Sequence, residues 1–233
     1  MFAVALENHD LLKSMRPEVS WVVPDALADN LRTYAIAFLL SPALASYCGK
    51  VANKLLDALR ELNVAQLPPV KESAQVKQVL SYLSKYLTAA RNFIKTQLKQ
   101  SADDASDKGN IAVLANTVIG KSGVKPTVHL YMCLAFLRWH ILNYANLDGD
   151  KWWLKVDDNL VTWRSQFKTE VALSAAFSST YNEDKEKFGD PASSGIKVVE
   201  VQKLDGWQTT LNAHARNVVP AASNSTKRKR TDE

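Results

Sequence analysis

The strongest constraint on the fold is a run of about thirty residues, 70–100, that begins after Pro68-Pro69. Its apolar residues Val76, Val79, Leu80, Leu83, Leu87, Ile94 and Leu98 recur at helical spacing. A helix of that length is about 45 Å long at ~1.5 Å per residue. Tyr82, Tyr86 and Phe93 line one edge of its apolar arc. At ~100° per residue, Lys77, Lys85, Arg91, Lys95 and Lys99 fall on the other side. Between residues 71 and 99 there are six basic residues and one acidic one, Glu72, so this segment carries one sign of charge.

The rest of the chain reads as helix as well. Ala26 to Leu40 follows Pro24-Asp25, and Ser41-Pro42 resembles a cap followed by a first-turn proline, predicting a helix from Pro42 to about Leu62. A short helix is expected at Ile111–Ile119. One from Pro126 to about Asn146 is apolar on nearly every face, which suits the middle of a bundle. The next carries Trp152, Val156, Leu160, Trp163 and Phe167 on one face, with Asp157 elsewhere and Trp153 as the exposed indole. Helices from Val171 to Phe188 and from about Gly206 to Asn217 complete the set. Val19–Val23 and Ile196–Val201 have strand composition and are expected to pair as a minor ribbon. The fold class is therefore all-α, a single bundle of about six to eight helices. Residues 1–19 are expected to form an arm, 20–217 the helical domain and 218–233 a flexible tail.

Charge is informative mainly at one end. The net charge is +5, and the last seven residues hold Lys227, Arg228, Lys229 and Arg230 beside two acids, leaving +3 for the other 226. This is too mild for a chain that coats nucleic acid along its length. Four adjacent cations after a small-residue segment read as a nuclear-import signal, with a solvated tail or a direct nucleic-acid contact as alternatives. Glu7, His9 and Asp10 stand where a secretory leader needs a basic start and an apolar stretch. The longest apolar region, Val128 to Leu142, is interrupted by His129, Arg138 and His140 and is shorter than the ~20 residues of a membrane span. A nuclear location is expected, with the cytoplasm as the alternative.

The motifs of common chemistries are incomplete. Gly120-Lys121-Ser122 lacks the upstream glycine of a phosphate loop, where Ala115 stands. His129, Cys133, Phe136 and His140 share a helical face. Zinc needs three or four ligands, and neither paired cysteines nor a His-Glu-x-x-His motif is present. Asp148-x-Asp150 begins like a calcium loop and then places Trp152 at a ligand position. No catalytic residue, metal or cofactor is therefore assigned.

Trp152-Trp153-x-x-Val156-Asp157-x-x-Leu160-x-x-x-Arg164, followed by the segment from Tyr181 to Pro191, resembles uncharacterised proteins of mushroom-forming fungi. That resemblance accords with a eukaryotic nucleus and implies no catalytic residue. The expectation is a non-enzymatic nuclear protein. It meets an import receptor through Lys227–Arg230, and nucleic acid, chromatin or an acidic protein surface through the face of Lys77, Lys85, Arg91, Lys95 and Lys99. Two alternatives remain. One is a helical scaffold or homo-oligomer paired through the Tyr82, Tyr86 and Phe93 edge. The other is an enzyme of unrecognised type built on the His129 and His140 face.

Overall fold

The structure is a computed structural model that describes residues 21–103 and 109–221. Among the described residues there are eight α-helices: α1 (Asp25–Leu39), α2 (Val51–Glu61), α3 (Ser73–Ser101), α4 (Ile111–Ile119), α5 (Val128–Asn143), α6 (Gly149–Gln166), α7 (Glu170–Phe188) and α8 (Gly206–Ala215). Short 3-10 turns at Pro191–Ser194 and Val201–Lys203 join α7 to α8. No described helix is long and apolar enough to cross a membrane. The all-α expectation holds.

α3 is the central rod. It packs against α1, α2, α4 and α5, and α5 in turn packs against α4 and α7. The α3 residues Val79, Leu83, Leu87, Ile94 and Leu98 are buried at the expected period. α6 meets its neighbours mainly through large side chains. The Trp163 ring lies 4.8 Å from Phe136 and 5.3 Å from Phe177, and Trp153 lies 4.9 Å from Tyr47. Trp153 is therefore buried at 1% exposure, contrary to the sequence reading.

Three other expectations need correction. Residues 42–50 are not helical, and α2 starts only at Val51. The N–H groups that a helix would bond internally are taken elsewhere. Ala45 donates to the Ala215 carbonyl at 3.0 Å, and Tyr47 and Cys48 donate to Asp157. Gly49 has a left-handed φ of +81°, and a Cβ there would stand 2.4 Å from the Val219 carbonyl oxygen. The ribbon is also absent. Among the described residues there is no strand, and Val199 donates to the carbonyl of Pro126 at 2.8 Å instead. The 196–200 segment lies at the surface with no strand edge beside it; Val19 falls outside the described residues. The body also extends past residue 217, because Val218 is buried and Lys50 donates to the Val219 carbonyl.

α5 buries two polar side chains. Arg138 is fully enclosed. Its Nε donates to Asp184 Oδ1 at 2.8 Å, and its Nη2 pairs with Asp184 Oδ2. Nη1 reaches the carbonyls of Ser101 and Gly109. One guanidinium thus ties α5 to α7 and to both sides of the α3–α4 connection. A bidentate pair with both Nη1 donors also bonded is an arrangement in which a buried charge is tolerated.

His140 is the second. Its Nδ1 donates to the Phe136 carbonyl and its Nε2 accepts from Asn159, each at 2.9 Å, which assigns the neutral tautomer. Burial, with a smaller contribution from the Lys155 charge, lowers its pKa to about 4. An unfolded histidine takes up its proton near 6.5. This contribution to stability is therefore complete above about pH 6.5, declines as pH falls, and is lost by about pH 4. At ~1.4 kcal/mol per pH unit the loss is about 3 kcal/mol. Urea unfolding at pH 7 and pH 4 should show that His140→Gln, although less stable at pH 7, loses less on acidification than the native chain.

Candidate functional site

The segment 41–50 is mostly apolar or small, Ser-Pro-Ala-Leu-Ala-Ser-Tyr-Cys-Gly-Lys, and it is largely buried in an irregular conformation. Its main-chain polar groups need partners that secondary structure does not supply. Side chains from α6 and α3 supply them. Asp157 accepts from Ser46 Oγ at 2.6 Å, from the Tyr47 N–H at 2.7 Å and from the Cys48 N–H at 2.8 Å. Arg164 donates to the carbonyls of Ala45 at 2.6 Å and Leu44 at 3.0 Å. Arg91 donates to the Tyr47 carbonyl at 3.0 Å. Asp157 and Arg164 are seven residues apart, about two turns, so one stripe of α6 presents both.

Asp157 is 5% exposed. Burial pushes its carboxyl pKa up from the ordinary value, and the hydrogen bonds from Ser46, Tyr47 and Cys48 oppose that rise. Two guanidiniums face one carboxylate around this loop, so the local balance is positive.

The loop, α5, the start of α7 and α8 frame a crevice. It has two adjoining compartments of about 220 Å³ and 410 Å³. The first reaches Leu44, Tyr47, Phe136 and Arg164; the second reaches His129, Met132, Leu204 and Gln208. Pro42, Ala43, Cys133, Leu173 and Phe177 border both. Glu170 and Arg216, both well exposed, stand 3.8 Å apart among the lining residues. The Cys133 thiol is pushed to about 12 by burial and lies 3.6 Å from the Pro42 carbonyl, so it remains protonated near neutrality. His129 lines the crevice while His140 is sealed behind Phe136, so the shared helical face does not become one site. Among the described residues, no three His, Cys, Asp or Glu side chains gather as a metal site.

The basic residues of α3 separate into two groups. Lys77 and Lys85 are exposed. Arg91 turns inward to Tyr47 and to Thr88 Oγ1 at 3.0 Å. Lys95 is only 8% exposed; its Nζ donates to the Leu147 carbonyl at 3.1 Å and lies 5.1 Å from the Trp152 ring. Burial and the neighbouring Lys99 charge lower its pKa, against the pull of Asp148. Lys99 is half-exposed and 3.5 Å from Asp148. Residues 144–148, between α5 and α6, supply the covering groups, and so the five cations do not form one open stripe. Lys227, Arg228, Lys229 and Arg230 lie outside the described residues.

On the open part of α3, Arg32 from α1 joins Lys85, Tyr86 and Phe93 around a recess of about 300 Å³. The Arg32 guanidinium lies 5.2 Å from the Tyr86 ring centre, and Phe93 is 38% exposed. Tyr82 and Tyr86 are half-buried with their rings 6.0 Å apart.

Asp157, Arg164 and Tyr47 were not singled out as site residues from the sequence. The available signal was a stripe of α6 on which Trp153, Asp157, Leu160 and Arg164 fall within about 60° of one another. Compared with known proteins, the chain matches no family model, no curated protein and no solved structure.

Asp157→Asn preserves shape but brings an amide N–H₂ against donors. Loss of the charge-assisted bonds should cost about 3 kcal/mol of stability in urea unfolding. Hydrogen exchange at the Tyr47 and Cys48 amides should accelerate relative to the α3 core.

Proposed function

We propose that this chain is a non-enzymatic nuclear binding protein whose helical body meets a polyanion, nucleic acid in chromatin, through the open face of α1 and α3. The observation that carries the reading is the grouping of exposed Lys85 and Arg32 with Tyr86 and Phe93, with exposed Lys77 two turns away. Lys77 and Lys85 have no ion-pair partner among the described residues. Cations beside an aromatic face suit phosphates next to bases. The inward-turned Arg91 and Lys95 are excluded from the contact, which reduces it to about three phosphates. The Lys227–Arg230 cluster supports nuclear import in the same reading.

Fluorescence anisotropy with labelled duplex and single-stranded DNA tests this in a salt series. Log affinity against log salt should fall with a slope of about −2 to −3. Lys77→Glu with Lys85→Glu should weaken binding about tenfold or more at low salt. Lys168→Glu, at an exposed position off this face, should leave it unchanged. No binding at low salt would remove the reading. Deleting residues 227–233 from a fusion too large to diffuse through nuclear pores should shift it to the cytoplasm.

Phe93 favours a second reading, self-association through the same edge of α3. Among the described residues Phe93 is the one exposed Phe, Tyr or Trp ring, and it borders an apolar recess. In light scattering, a dimer that Phe93→Asp splits would support it, and a monomer at high concentration would exclude it.

A further inference from the structure

The crevice beneath loop 41–48 lies apart from the α1–α3 face and holds an unused polar group. Tyr47 is 4% exposed and lines the inner compartment. Its N–H is bonded to Asp157 and its carbonyl to Arg91, and its ring lies 4.9 Å from Trp153. Its hydroxyl has no hydrogen-bond partner among the described residues. The sealed polar side-chain atoms without a partner among the described residues are Arg60 Nη2, Tyr131 Oη and Trp153 Nε1; the Tyr47 hydroxyl is not one of them, so it opens onto the crevice. Of the five N–H groups of Arg164, two serve the loop carbonyls and the others have no partner among the described residues.

The surroundings define the ligand that would use these groups. The walls are Leu44, Phe136, Leu160, Leu173 and Phe177, so the body of the ligand must be apolar. Arg164 and Arg91 against Asp157 leave a positive balance beside the inner compartment, which favours an anionic head. Glu170 acts against this, but it is almost fully exposed and sits beside Arg216, so water screens it. Taken together, the two compartments are of the size of small-molecule sites, about 300–1,000 Å³. At about 30 Å³ for a water-sized group, they hold roughly twenty such groups between them, which leaves room for a ten-carbon chain and its head group.

We propose that this crevice binds a small amphipathic carboxylate. The head group accepts from the Tyr47 hydroxyl and the Arg164 guanidinium, and an apolar body of about ten carbons lies along Leu44, Phe136, Leu173 and Phe177. No covalent step is involved. The thiol of Cys133 contributes surface and, held protonated, adds no opposing charge.

The test uses the full chain and 8-anilinonaphthalene-1-sulfonate as a fluorescent amphipathic anion, displaced by decanoate, decanol or decylammonium below their micelle concentrations. Saturable one-to-one binding is expected, with decanoate displacing the probe at least tenfold better than decanol or decylammonium. Tyr47→Phe keeps the ring and removes only the hydroxyl. It should weaken decanoate about tenfold or more, as expected for a hydrogen bond to a charged group. It should not lower Tm, because the hydroxyl has no partner to lose. Leu173→Trp, which fills the crevice, should abolish binding, and Phe93→Ser in the α1–α3 recess should leave it intact.

Absence of saturable binding overturns the proposal, as does equal displacement by decylammonium. Tyr47→Phe with lowered Tm and unchanged decanoate affinity would show that the hydroxyl serves the fold, and would also overturn it. Should Leu173→Trp fail to fold by circular dichroism, amide shift mapping with decanoate on the native chain decides the matter. Changes centred on 41–47, 133 and 173–177 support the site, and changes centred elsewhere defeat it.

Discussion

An irregular segment buried in a helical bundle carries a debt of unbonded peptide groups, and in this protein a buried carboxylate and two guanidiniums settle it. Asp157 takes the N–H groups of Tyr47 and Cys48, while Arg164 and Arg91 take the carbonyls of Leu44, Ala45 and Tyr47. Much else follows from this arrangement. It holds α6, whose other contacts are mainly bulky aromatic rings, in one rotation about its axis. It stops α2 from starting before Val51. It also fixes the loop at a height above α5 that leaves the crevice open between them.

The same logic recurs at Arg138 and Asp184. Replacing such a pair with apolar residues is often energetically neutral, whereas removing one partner is expensive. The contribution of these groups is therefore better described as selection among packings than as net stabilisation. α5 is apolar on most of its surface and has no strong reason to prefer one azimuth. Arg138 gives it one, because its guanidinium must reach Asp184 on α7 together with the carbonyls of Ser101 and Gly109. His140 adds a second fixed point through Asn159 on α6. Two polar residues thus orient the most hydrophobic helix of the bundle.

Elements set by local periodicity were readable in the sequence. α4 matches its expected span, and Val79, Leu83, Leu87, Ile94 and Leu98 of the apolar arc of α3 are buried, with Val76 and Leu80 packed partly buried beside them. Elements set by distant partners were not. Ser41-Pro42 carries the local signature of a helix start, but Ser41 Oγ donates to Asn212 Oδ1 at 2.7 Å and the following N–H groups are claimed from far along the chain. Lys95 lies about 120° from the centre of the buried arc of α3 and by spacing belongs to solvent. The connection between α5 and α6 covers it, and no pattern within α3 encodes that cover. Trp153 and Asp157 were assigned to the polar side of α6 because the stripe through Trp152, Val156 and Trp163 is apolar. The core meets both stripes. Trp153, Asp157 and Arg164 meet the 44–48 loop from one of these stripes, while Trp152 lies against His140 and Lys95 from the other.

The loop also links the two surfaces to which function is ascribed. Tyr47 contributes its ring to the crevice wall and its carbonyl to Arg91 on α3, one turn from the Tyr86 and Phe93 edge. A ligand seated against that ring would press on a segment whose main chain is bonded to α3, α6 and α8 together. Movement of the loop must break several buried hydrogen bonds, so it is resisted as a unit rather than residue by residue. Any influence of the crevice on the α1–α3 face is then carried by Arg91, which among the described residues is the side chain that bonds the loop directly to the rod. Its size is limited to the difference in that contact between the filled and empty states.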